Sequence, residues 1–134
     1  MITVSDYMMG RDVTHALECS PAILREAALT VDIVNELLDR ARLDGLVFDP
    51  VVSSGWRPPS INARILRAAK HSLHMTGQAI DLQDTSGALD AWCVRHAESD
   101  LRFIGLWLED PVATPTWCHL QTKPPRSGAR IFKP

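Results

Sequence analysis

His74 and Asp81 stand seven residues apart in Ser72-Leu73-His74-Met75-Thr76-Gly77-Gln78-Ala79-Ile80-Asp81-Leu82, and an imidazole with a carboxylate is a donor pair that zinc accepts. With five histidines and eleven aspartates in the chain, about 0.4 such pairs arise by chance, so context must add to the spacing. Gly77 allows a sharp turn between the two, which puts His74 on a loop and Asp81 on the strand that follows. On that strand, over residues 78–83, Ala79, Asp81 and Gln83 share one face while Ile80 and Leu82 share the other. The apolar face belongs to the core, which aims Asp81 outward into a cleft. A catalytic zinc needs a third protein ligand and one open position. His119 is the candidate: in Trp117-Cys118-His119-Leu120-Gln121 it shares a face with Trp117 and Gln121, and alternation assigns Cys118 to packing. His71, one helical turn before His74, reads instead as an exposed polar residue.

The elements that must position these groups follow from periodicity. Ser20-Pro21 forms an N-cap with proline at the first helical position. Ile23, Leu24, Ala27, Val31, Val34, Leu37, Leu38 and Ala41 then repeat at helical spacing as far as Asp44-Gly45. Leu46 to Ser54 reads as a strand interrupted near Pro50, and Pro58-Pro59-Ser60 opens a shorter helix running through Ile65, Leu66 and Ala69. Ser86 is the expected cap of a third helix containing Leu89, Trp92, Cys93 and His96, the last without a partner. Phe103 to Glu109 and Thr116 to Thr122 read as a strand pair. Residues 1–19 are expected to be an irregular lead-in packed through Tyr7, Met8 and Met9, and residues 123–134 a turn-rich, basic, solvated tail. The pattern predicts one α+β domain over residues 1–134, with a small, mainly antiparallel sheet and flanking helices.

Composition narrows the function classes. A formal net charge of −2 argues against a nucleic-acid clamp. No apolar run approaches the roughly 18 residues of a membrane helix, and the first residues show no secretory signal. Three widely spaced cysteines, Cys19, Cys93 and Cys118, give neither a disulfide framework nor a zinc knuckle.

Three blocks occur in order: Ser54-Gly55-Trp56-Arg57-Pro58 with Asn62 after it, the Ser72–Leu82 segment, and Trp117-Cys118-His119. Together they resemble the zinc D-alanyl-D-alanine carboxypeptidase family, which shares its fold with the hedgehog signalling domain and includes phage and bacterial peptidoglycan peptidases. The pattern is SG[YW]R, then SxHxxGxAxD, then a late histidine after an aromatic or apolar residue; the middle block is the specific one. The resemblance implies one zinc ion held by His74, Asp81 and His119, with Arg57 near the substrate. It implies a D,D-carboxypeptidase-like or endopeptidase-like hydrolase acting on peptidoglycan stem peptides or cross-links. Two imidazoles and one carboxylate leave the site a net charge of about +1, enough to bring the pKa of a bound water towards about 7. Arg57 would stabilise an oxyanion or clamp a terminal carboxylate. Ser72 would brace the loop of His74, Gln78 and Gln121 would line the pocket, and Trp117 would form its wall. Cytoplasmic synthesis followed by delivery in a virion or release to the wall is the expected route.

One position departs from the family. Many members carry a carboxylate three residues before the last histidine as general base, where this chain has Thr116. Glu109 and Asp110 are the nearest replacements, and strand alternation favours Glu109, on the face of Trp107 and His119. The missing carboxylate also motivates an alternative, a non-catalytic zinc-binding module for cell-wall recognition or phage structure.

Overall fold

The computed structural model describes residues 1–66 and 68–134. Its centre is a helix, Pro21–Leu43, packed on a five-stranded sheet, and the chain is α+β. The short helices are Val4–Met8 (α1) and Arg11–Thr14 (α2) before the central α3, then Pro59–Asn62 (α4), Ala88–Arg95 (α5) and Arg102–Ile104 (α6). The strands are Val52–Ser54 (β1), Ala79–Gln83 (β2), Trp107–Glu109 (β3), Trp117–Gln121 (β4) and Ile131–Phe132 (β5), in the order β1-β2-β4-β3-β5. Three pairings are antiparallel, but β5 joins β3 in parallel, so the sheet is mixed. Among the described residues no helix is long and apolar enough to cross a membrane.

Helix α3 forms as its sequence dictates. The Ser20 hydroxyl accepts the Ile23 N–H, Pro21 opens the first turn, and Arg40 and Arg42 sit where the helix dipole favours cations. Its buried stripe runs from Ala27 through Val31, Val34, Leu37 and Leu38 to Ala41 and meets Ile80, Leu82, Cys118 and Leu120 from the sheet. Thr30, on the same stripe, donates its hydroxyl to Gly77 O at 2.8 Å, which ties the helix to the turn before β2.

Several expected elements take a different form. The lead-in is helical, not irregular: Thr3 and Asp6 make a reciprocal capping box, and Tyr7 and Met8 are fully in the core while Met9 is exposed. Only Val52–Ser54 of the expected 46–54 strand pairs, because Pro50 has no N–H to offer the ladder. Helix α4 is a single turn ending at Asn62; Ile65 and Leu66 are exposed beyond it, and Arg67 of the expected longer helix lies outside the described residues. Ser86 is displaced as the main cap of α5 by Asp84, whose buried carboxylate accepts the Asp90 N–H at 2.8 Å while Gly87 supplies the left-handed turn. Phe103 and Ile104 are helical: the N–H groups of Gly105 and Leu106 both donate to Leu101 O, closing a helical turn before the strand begins at Trp107. His96 has partners after all, stacking on Trp92 and facing Asp44 and Asp100. Arg130 is not a free tail residue, since its guanidinium covers the Trp107 ring and bonds Leu106 O.

Candidate metal centre

Strand register brings the candidate residues together. Asp81 on β2 is directly opposite His119 on β4, and Ser54 at the end of β1 pairs with Asp81 on its other side. Leu108 pairs with Leu120, which sets Glu109 beside His119 from the far strand. His74 arrives from below the sheet edge on a one-turn 3₁₀ helix, Leu73–Thr76. The Ser72 hydroxyl caps that turn by accepting the His74 N–H, and Gly77 ends it at φ 80°. A side chain at Gly77 would be strained and would meet Ile23 O at 2.9 Å, so glycine lets the turn lie directly on α3.

One ligand atom from each of His74, Asp81 and His119 falls within 4.8 Å of the other two, and the three could hold a metal ion. His74 Nε2 lies 3.3 Å from Asp81 Oδ2, and His119 Nδ1 lies 2.7 Å from Asp81 Oδ1. The second nitrogen of His74, Nδ1, faces Gly55 O at 2.8 Å; a carbonyl only accepts, so Nδ1 carries the proton and Nε2 keeps its lone pair for the centre. Burial pushes the His74 pKa down, against the pull of Asp81, and so favours the neutral ligand form. Burial pulls the Asp81 carboxyl up, but the hydrogen bond from His119 and the nearby imidazole of His74 outweigh it and hold Asp81 well below the usual carboxylate range. For His119 burial again opposes charge, yet its bond to Asp81 and the nearby Glu109 raise its pKa.

The cluster lies in a cleft of about 540 Å³. Glu109 lines it, its Oε2 3.8 Å from His119 Nε2, too far for a hydrogen bond, and among the described residues its carboxylate has no hydrogen-bond donor. Burial raises the Glu109 pKa, and neighbouring His119 partly offsets this. Thr116 is exposed and outside the cleft, and Asp110 turns its carboxylate back onto the Val112 N–H. Arg57 lies half-buried in the cleft lining: Nη2 donates to Ser72 Oγ at 3.2 Å, while Nε is buried with no partner among the described residues. Burial lowers the Arg57 pKa, with Asp81 acting against the shift. Trp117 and Gln121 line the cleft as expected, and His71 reaches its rim although exposed.

Gln78 does not belong to the cleft. Its side chain points to α3, donating to Glu26 at 2.8 Å and accepting from Thr76. Strand alternation itself would set Gln78 with Ile80 and Leu82, away from Asp81, and β2 starts only at Ala79, so Gln78 is still part of the turn. Sequence reasoning also passed over Thr114, whose buried hydroxyl on the cleft lining lacks a partner among the described residues, and Phe132, which closes the cleft edge-on to His119 at 6.2 Å. For Phe132 the signal was the isolated apolar pair in a polar tail; for Thr114 there was none. Compared with protein-family models, with curated proteins and with solved structures, the chain has no match in any of the three.

Proposed function

We propose that the chain is a zinc-dependent peptidase that hydrolyses a peptide bond in peptidoglycan stem peptides or cross-links. The observation that carries the reading is the convergence of His74, Asp81 and His119 on one point of a cleft, with a further carboxylate, Glu109, beside it. The donor set fits zinc: two imidazole nitrogens and one carboxylate oxygen, with His74 held in the tautomer that leaves Nε2 to bind. When bound there, zinc supplies Lewis acidity that activates water near neutral pH and polarises a carbonyl.

The side chains around it divide the remaining work. Glu109, with its pKa raised by burial, takes the proton of the attacking water and returns it to the departing amine as the C–N bond breaks. The guanidinium of Arg57, braced on Ser72, holds a carbonyl or terminal carboxylate of the substrate. Trp117 and Phe132 provide apolar walls against the peptide. The substrate class rests on the resemblance of the three sequence blocks to the D-alanyl-D-alanine carboxypeptidases.

A second reading, a zinc-binding wall-recognition module without hydrolysis, is favoured by Thr116 in place of the family's carboxylate. Digestion of muropeptides by wild type and Glu109→Gln, with zinc content measured in both, separates the two. Cleavage by wild type and a loss of about 10³-fold in the zinc-loaded variant supports the peptidase. Stoichiometric zinc with no cleavage of any muropeptide supports the module. Protein that binds no zinc sinks both.

A further inference from the structure

We propose that Arg11 is a positioning residue for His74, acting through the peptide planes of the Gly55–Arg57 loop; its consequence for zinc rests on the metal-centre reading above. Two consecutive peptide units link the lead-in to His74. The unit between Gly55 and Trp56 donates its N–H to Tyr7 O at 3.1 Å, and its carbonyl accepts from His74 Nδ1 at 2.8 Å. The unit between Trp56 and Arg57 presents its carbonyl to Arg11 Nη1 at 2.7 Å, and its N–H donates to His74 O at 3.0 Å.

A peptide unit is planar, so fixing one end fixes the direction of the other. The lead-in therefore sets two of the bonds that hold His74, one to its ring and one to its backbone. The contact is close enough that a Cβ at Gly55 would lie 1.9 Å from Tyr7 O. Arg11 is the side-chain member of this clamp, and its charge strengthens the bond to the Trp56 carbonyl. It holds this position although half-buried and close to the like charge of Arg57, an arrangement that folding by itself does not favour. Hydrogen bonds at the two ends of one peptide also polarise each other, so losing Arg11 weakens the bond on the His74 side.

The test uses the full chain with Arg11→Met, which keeps an unbranched apolar stem and removes every donor, and with Arg11→Lys. In metal-free protein, nitrogen-resolved NMR reads solvent exchange of the Arg57 amide proton that bonds His74 O, expected to be at least about tenfold faster in Arg11→Met and partly restored in Arg11→Lys. Zinc affinity, measured by competition with a chelating dye, is expected to fall about tenfold in Arg11→Met. Exchange at the wild-type rate in a variant that melts cooperatively overturns the proposal. If Arg11→Met does not fold, Arg11→Ala, which also lacks every donor, is read by the same criterion. Faster exchange in a protein whose wild type binds no zinc upholds the positioning role and overturns the metal-centre reading instead.

Discussion

Thr114 buries its hydroxyl in the loop between β3 and β4, and Oγ1 finds no partner among the described residues. An unmet buried hydroxyl costs about 1–3 kcal/mol, and valine has the same shape without that cost. Thr114→Val is therefore expected to raise unfolding stability by about 1 kcal/mol, read as a higher urea midpoint at unchanged slope. Asp90 presents a comparable case with charge. Burial, with the nearby Asp84 carboxylate, pushes its pKa up to about 6 from the ordinary 3.8. The folded state then binds more protons than the unfolded one between those values, so the Asp90 contribution to stability falls as pH rises from about 4 through 6. Relative to wild type, Asp90→Asn should melt progressively higher across that range; a constant difference in melting temperature would refute the assignment. At this scale the sequence was most legible where strands impose a two-residue period. Asp81 and His119 could be assigned to one face because neighbouring Ile80, Leu82, Cys118 and Leu120 are apolar. Gln78 was misassigned because its partner, Glu26, is 52 residues away.

Helix α3 and strands β2 and β4 follow from local rules of capping, period and alternation. The lead-in does not. Its helices are too short to be stable alone and form because Tyr7 and Met8 insert into a core made by later residues. The joint between lead-in and loop has no spare room at Gly55. Gly55→Ala should cost about 3 kcal/mol or more, because the new methyl must displace backbone rather than a flexible side chain. Denaturant unfolding checks the magnitude. Limited proteolysis checks the location, with cleavage expected first within residues 1–19. Wild-type stability in Gly55→Ala would mean that the lead-in and the loop do not meet as described.

For the whole molecule, the ligand set joins β2, β4 and the turn that leans on α3, so an ion held there would tie the fold together. Binding to the folded state alone raises stability by about 2.7 kcal/mol at a free zinc concentration of 100 times Kd. Zinc should accordingly raise the melting temperature of wild type, a chelator should reverse the rise, and His119→Ala should melt at one temperature with or without zinc. By itself the sequence determined the α+β class, the central helix and the faces of two strands, because each depends on neighbours within one helical or strand period. Only the tertiary structure decided that Glu109 rather than Asp110 faces the cleft, that Gln78 leaves it, that β5 makes the sheet mixed, and that the lead-in grips the loop behind His74. These relations join residues far apart in the chain, and chain closure, register and close packing set them, none of which leaves a local pattern to read.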